Sequence, residues 1–229
     1  MKKFYFILAA AAMFLAVDAN AQLGVGIGYN HLNNVTRSAD EKDSEGLDGF
    51  YVEATYDWNF LDKGWGSLGL QPGLRYTFAG ESDSDEVLGV VTREAIAEHY
   101  LDVPVNVKYS YDLGSVKLSA FVGPVFSFGL SSVNKVSADD YVMKYYNYTG
   151  KTVTKGSGSS SAVKPEGDPA YGRFDLKLGV GVGATFLENL NVKLGYNIGM
   201  LNRYTGPKSD NFKSSIHTGV FYVGVGFNF

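Results

Sequence analysis

The sequence predicts an all-β chain, an eight-stranded antiparallel up-and-down transmembrane β-barrel with long outer loops and short periplasmic turns. Three observations carry this. Apolar and polar residues alternate with period two over eight separate stretches, as strands with one apolar face require. The connections between those stretches alternate long and short along the chain, the layout of a barrel with turns on one side of a membrane and loops on the other. No helical pattern is present to cover the apolar faces, which leaves lipid to do so.

Residues 1–21 form a targeting segment. Lys2 and Lys3 supply its positive start, residues 4–17 its apolar run, and Ala19-Asn20-Ala21 its cleavage site. The domain expected after cleavage is 22–229, and no later run reaches the ~18 apolar residues of a membrane helix.

The first strand, 23–30, sets Leu23, Val25, Ile27 and Tyr29 against three glycines. In the second, 49–60, Phe50, Val52, Ala54, Tyr56, Trp58 and Phe60 oppose Tyr51, Glu53, Thr55, Asp57 and Asn59. The third, 67–79, carries Leu68, Leu70, Leu74, Tyr76 and Phe78 against Gln71, Arg75 and Thr77. The fourth, 97–109, carries Leu101, Val103, Val105, Val107 and Tyr109 against Asp102, Asn106 and Lys108. The fifth is 115–130. The sixth, 173–186, has Asp175, Lys177 and Gly179, Gly181 and Gly183 on its polar side, and the seventh is 190–201. The eighth, 216–229, ends the sequence with Phe221, Val223, Val225, Phe227 and Phe229 on one face and Thr218, Val220, Tyr222, Gly224, Gly226 and Asn228 on the other. All but the marginal first reach the ~9–11 residues that a tilted strand needs to cross a bilayer.

The long connections are 31–48, 80–96, 131–172 and 202–214, and the short ones 61–66, 110–114 and 187–189. Both chain ends then fall on the periplasmic side. Aromatic residues sort into two belts, as the membrane interfaces favour. Trp58, Phe60, Tyr109, Phe186, Phe227 and Phe229 are expected at the periplasmic rim. Tyr29, Phe50, Tyr76, Phe78, Phe126, Phe128 and Phe174 are expected at the outer rim. Pro72, Pro104 and Pro124 fall inside strands of a barrel that has no edge to hold them, so each calls for a bulge or a local gap in the ladder.

Composition agrees with this class. Gly (28), Tyr (16) and Phe (15) are abundant, charged residues make up 19%, and mean hydropathy is close to zero because only alternate residues meet lipid. The net charge of −4 gives no reason to expect nucleic acid. The absence of cysteine excludes a lipoprotein anchor, disulfides and thiolate chemistry.

The segment 100–109, Tyr-Leu-Asp-Val-Pro-Val-Asn-Val-Lys-Tyr, resembles the tyrosine-led, proline-containing strand of the PorT-type outer-membrane β-barrel family. Gly123-Pro124, the segment 173–183 and the terminal aromatic Phe229 fit the same pattern, and the resemblance covers about 23–229. It implies a barrel in the outer membrane of a Gram-negative bacterium, in contact with outer-membrane lipid, and Phe229 as part of the signal read by the outer-membrane insertion machinery. No active site comes with it.

The residues point to little chemistry. The strings Gly24-Val-Gly-Ile-Gly28 and Gly179-Val-Gly-Val-Gly183 are not followed by helices and so are not nucleotide fingerprints. Their expected role is to leave room in a narrow lumen for side chains from the opposite wall. The acidic clusters 38–45 and 81–86 lack the spacing of a calcium loop. The Gly/Ser run 156–161 marks an exposed segment open to protease.

His31, His99 and His217 are placed at outer strand ends. His31 and His217 are expected to be neighbours across the closing seam, with Ser214 and Ser215 beside His217. No nucleophile motif accompanies them, so no catalytic residue, cofactor site or metal site is assigned. Glu53, Arg75 and Asp102 lie on consecutive strands on the polar face, and charges in a narrow lumen must pair. The expectation is a Glu53–Arg75–Asp102 network that plugs the barrel, above a basic lower lumen of Lys108, Lys117, Lys177 and Lys193 in which only Asp57 is evident as partner. The function expected is non-enzymatic, structural or interactive, with an extracellular partner at 31–48, 80–96 or 131–172. The alternatives are a lipid-modifying enzyme of the outer leaflet and a small pore or ligand-carrying barrel.

Overall fold

The computed structural model describes residues 21–38, 41–87, 90–156, 159–164, 167–205 and 214–229. The targeting segment 1–20 lies outside them. Eleven strands run in chain order: β1 (Ala21–Ser38), β2 (Glu41–Lys63), β3 (Gly66–Val87), β4 (Val90–Asp112), β5 (Val116–Ala138), β6 (Tyr141–Tyr146), β7 (Lys151–Gly156), β8 (Ser159–Lys164), β9 (Phe174–Phe186), β10 (Leu190–Gly199) and β11 (Ser215–Asn228). Eight of them close an antiparallel ring, β1-β2-β3-β4-β5-β9-β10-β11, with β1 and β11 sealing the seam from Gly24↔Asn228 to Arg37↔Ser215. These eight strands coincide with the eight alternating stretches of the sequence, four of which (115–130, 173–186, 190–201 and 216–229) overrun their strands by one or two residues.

The other three strands, and the length of the ring strands, differ from expectation. The described residues of 31–48 and 80–96 are strands, not loops. The β1–β2 ladder continues to Ser38↔Glu41, and the β3–β4 ladder to Val87↔Val90. In 131–172, β5 continues to Ala138, and β6, β7 and β8 pair in succession alongside it. β5 pairs with β9 from Val116 to Phe128 and with β6 from Val133 to Ala138, so the outer sheet departs from the ring just above Phe128↔Phe174. The reason is solvent. Within the membrane one face of a strand must be apolar, so the sequence alternates. Beyond it both faces meet water, the alternation disappears, and the backbone ladder goes on unchanged. Of the Gly/Ser run, Gly156 ends β7 and Ser159 begins β8, while 157–158 lie outside the described residues.

The outward face is apolar and exposed. Val25, Ile27, Val52, Leu74, Val107, Val122, Val182, Leu194 and Val225 form a continuous band. A patch of this extent is a membrane surface. Below it lie Trp58, Phe60, Tyr109, Phe186, Phe227 and Phe229, and above it Tyr29, Phe50, Phe126, Phe128 and Phe174, all exposed. The outer belt is knitted by ring contacts, with Phe50–Phe78 at 5.5 Å and Phe128–Phe174 at 5.2 Å.

The prolines are accommodated by gaps. The ladder passes from Thr55↔Gly73 to Trp58↔Leu70 around Pro72, and from Pro104↔Val125 to Val107↔Val122 before Pro124, with no change of register. The register shifts lie elsewhere, at Asn59/Leu61 and His99/Tyr100.

Lumen glycines do make room, but for their ladder partners rather than for the opposite wall. Gly28 pairs with Tyr51, Gly195 with Tyr222 and Gly181 with Phe121. A Cβ on Gly28 would stand 2.5 Å from the Tyr51 ring, and one on Gly181 2.3 Å from the Phe121 ring. Each aromatic ring lies flat over the glycine beside it, which keeps three large rings inside an eight-stranded barrel.

Candidate functional site

One ladder row crosses the lumen: Gly26↔Glu53↔Arg75↔Asp102↔Ser127↔Asp175. Strands in a barrel tilt, so the row climbs. Gly26 lies near the inner end of β1 and Asp175 at the outer end of β9. This slope decides which charges meet.

Arg75 donates to Glu53 Oε2 through Nε (3.1 Å) and Nη2 (2.9 Å). Two tyrosine rings at right angles clamp its guanidinium from adjacent sides, Tyr222 at 4.0 Å and Tyr51 at 4.6 Å, with ring centroids 5.7 Å apart. The other Glu53 oxygen receives Lys193 from β10. Asp102, one strand higher on the slope, does not join them. Its carboxylate accepts from Thr77 Oγ1 (2.9 Å) and faces Lys177 Nζ at 3.7 Å. The three-residue network is therefore corrected to two clusters, Glu53–Arg75–Lys193 and Thr77–Asp102–Lys177. The lower lumen is less basic than its sequence suggests, since Lys108 pairs with Asp57 at 2.9 Å while Gln71 donates to the same carboxylate at 2.8 Å.

A third cluster closes the outer end. Arg203, from the β10–β11 connection, turns into the barrel and donates to Thr218 Oγ1 (2.7 Å), Tyr100 OH (2.9 Å) and Tyr148 OH (3.1 Å). Tyr100 in turn donates to Glu98, which also accepts from Ser132 (3.0 Å). Asn147 donates to Ser132 (2.7 Å) and Asn134 (2.8 Å). Backbone bonds Gly172→Arg203 and Arg203→Ile216 fix the lid, and burial beside Glu98 and Glu45 pushes the Tyr171 hydroxyl up to about 12. At the level of the lid, Leu32, Leu47, Ala79, Ile96, Tyr100 and Val220 form an apolar plug.

Six carboxylates, Glu53, Asp57, Glu98, Asp102, Asp112 and Asp175, thus stand against six cations, Arg75, Lys108, Lys117, Lys177, Lys193 and Arg203, with Asp112 opposite Lys117 at the inner mouth. A water-filled channel would leave its lining accessible. Here Tyr51, Lys177 and Tyr100 are 1% exposed and Tyr222 and Arg203 2%, so the lumen is filled from the Glu53 level to the lid. Below the Glu53 level the interior opens into a polar cavity of about 270 Å³ lined by Asp57, Lys108, Asp112, Lys117 and Asn228 among others.

Sequence reasoning missed Arg203, Glu98 and the tyrosine clamp. Glu98 shares strand parity with Tyr100 and Asp102 and so was findable, whereas the glycines that Tyr51 and Tyr222 face are known only from the register. Nothing in the sequence marks Arg203.

The histidines are separate. His31 lies opposite Phe221 and His217 opposite Val35, four residues apart along β1, or about 13 Å. They are not neighbours. His31 Nδ1 meets Asp48 at 2.7 Å, and Tyr29 donates to the same carboxylate. His99 Nδ1 meets Tyr76 OH at 2.6 Å. Among the described residues, none of the three has both a serine hydroxyl and a carboxylate in hydrogen-bond reach. No group of three or more His, Asp or Glu suited to a metal ion is found among them either.

No curated protein matches the chain. Solved structures similar to it include Ail, the attachment invasion locus protein of Yersinia pestis, in complex with the heparin analogue sucrose octasulfate (14% identity, 91% of this chain and 99% of that one, TM-score 0.40). The outer membrane enzyme PagL (10%, 86% and 97%, TM-score 0.42) and Neisserial surface protein A (14%, 90% and 97%, TM-score 0.39) are also similar. A family model for the outer membrane protein beta-barrel domain matches residues 4–229. The chain is therefore an outer-membrane barrel of the Gram-negative envelope and belongs to the outer membrane protein β-barrel domain family.

Proposed function

We propose that this barrel is non-enzymatic and closed to solutes, and that it serves the envelope as a structural and interaction protein through its outer hairpins. The observation that carries the reading is the filled, charge-balanced lumen beneath a hydrogen-bonded lid. A barrel built this way moves nothing through its interior, which leaves the outer extension of β1–β8 as its working surface. Within its family we place it in the PorT type, on the proline-bearing strand at 100–109 and the strand at 173–183.

The nearest approach to catalytic geometry is the His31–Asp48 pair, which has no nucleophile beside it. The test is mass spectrometry of outer-leaflet glycolipids from cells with and without the protein. The expected spectra are identical. A change in acyl chains or headgroups that disappears with His31→Ala would establish an enzyme instead.

A further inference from the structure

The outer extension sorts most of its charges by face, with Asp48 on β2 and Glu86 on β3 the described strand carboxylates on the side continuous with the lipid-facing wall. Strand parity, followed through the β4–β5 register shift, assigns each residue to the face continuous with the lumen or to the face continuous with the lipid-facing wall. Asp43 and Glu45 on β2, Glu81, Asp83 and Asp85 on β3 and Glu94 on β4 share the inward face with the buried Leu47, Ala79 and Ile96. Arg37 on β1, Lys42 on β2, Arg93 on β4, Lys135 on β5, Lys144 on β6 and Lys151 and Lys155 on β7 share the outward face.

Two features make the outward cations unusual. Arg37 stands directly opposite Lys42, and Lys135 directly opposite Lys144. Like charges placed so repel. No described carboxylate lies within ion-pair distance of any of the seven, and Arg37, Lys42, Arg93, Lys144 and Lys155 are exposed. Lys151 lies over the Tyr146 ring at 5.8 Å on the same face.

Their height identifies what they face. The outer aromatic belt passes through Phe128, which pairs with Leu101. Lys151 shares a ladder row with Val133 and Ala97, and Lys155 with Ser137 and Arg93, and each row climbs from β4 to β7. At ~3.3 Å per residue, ~4.8 Å between strands and the usual ~40° tilt, the lysines of β5 to β7 span roughly 15 to 25 Å above the belt. A side chain at that height, pointing away from the barrel axis, faces the headgroup layer of the surrounding leaflet.

We infer that the outward face of the β5–β6–β7 sheet, with Lys135, Lys144, Lys151 and Lys155 and the adjacent Arg93, docks the phosphate groups of glycolipid headgroups in the outer leaflet. Phosphate is the ligand that removes the Lys135–Lys144 repulsion, and ammonium groups bind it as point charges. The face supplies several at spacings set by the ladder. This names a partner for the proposed interaction role, and it does not depend on whether the lumen is closed.

The test uses the full barrel in nanodiscs of three compositions: phosphatidylcholine alone, phosphatidylcholine with phosphorylated outer-leaflet glycolipid, and the same with that glycolipid's phosphates removed. Amine labelling at Lys144, Lys151 and Lys155 is read by mass spectrometry. Labelling should fall about fivefold with the phosphorylated glycolipid alone, and high salt should restore it. The triple variant K144Q/K151Q/K155Q, checked for folding by gel mobility, should retain less glycolipid on purification. Equal labelling in all three bilayers would overturn the inference. So would protection by a soluble polyanion in phosphatidylcholine discs without protection by the glycolipid, which would make the ligand extracellular.

Discussion

Arg75→Ala tests the central cluster. Arg75 makes two hydrogen bonds to Glu53 and two ring contacts, with its side chain 6% exposed and that of Glu53 3%. Breaking a buried ion pair costs about 3–5 kcal/mol, most of it from the charge left behind. Here Lys193 stays on the other Glu53 oxygen, so Glu53 is not stranded. That puts Arg75→Ala at the low end, about 3 kcal/mol. Glu53→Gln removes the one carboxylate that serves both cations and should cost more, about 5 kcal/mol. Removing Lys193 together with Arg75 should cost more than the two single losses added, because the second leaves Glu53 alone. The assay is denaturant unfolding in lipid vesicles, followed by the gel mobility difference between folded and unfolded barrel. An Arg75→Ala barrel within ~0.5 kcal/mol of its parent, or a Glu53→Gln barrel more stable than Arg75→Ala, would refute the reasoning.

Gly28→Ala should destabilise by about 1–3 kcal/mol, because its Cβ would stand 2.2 Å from the Val223 carbonyl oxygen and 2.5 Å from the Tyr51 ring. Gly24→Ala meets only the ends of Asn228 and Thr55 side chains and should cost less in the same unfolding assay. Burial, then the charges of Glu98, Glu81 and Asp43, hold the Glu45 carboxyl above its ordinary value. The folded hairpin thus binds that proton more tightly than the unfolded chain, so its stability is lowest where Glu45 is charged and rises as pH falls through the folded pKa toward the ordinary 4.5. Amide exchange in β1 and β2 beyond Asp48, corrected for intrinsic rate, should slow from pH 7 downward, and Glu45→Gln should abolish the trend. Deleting Phe229 removes its ring contact with Phe227 (5.2 Å) and the seam bond to the Leu23 carbonyl (2.8 Å). Insertion in cells should slow, and unchanged assembly would contradict a role for this residue.

The membrane-spanning part of the barrel was legible because lipid imposes period two. It is visible in Phe221 to Phe229 as directly as in the finished β11. The outer strands were not, because water imposes nothing: residues 41–45 and 81–86 form ladders with no apolar face to announce them. Side-chain parity brought Glu53 and Arg75 together. It failed for Asp102, because parity gives the face and not the slope of the row. The tyrosine clamp was written in the pairing of Tyr51 with Gly28 and Tyr222 with Gly195, which becomes readable only once register is known. Arg203 had no signal, since its position is decided by three partners, Tyr100, Tyr148 and Thr218, far apart in sequence.

The closed lumen is tested most directly by single-channel recording of the purified barrel in planar bilayers at neutral pH. The Arg75 clamp formed with Tyr51 and Tyr222 and the Arg203 lid lie in series, so the account predicts no stable conductance from the wild type. It predicts none from Arg203→Ala either, because the Arg75 layer still blocks the path. A steady open channel from the wild-type barrel would contradict the account and make this protein a small pore.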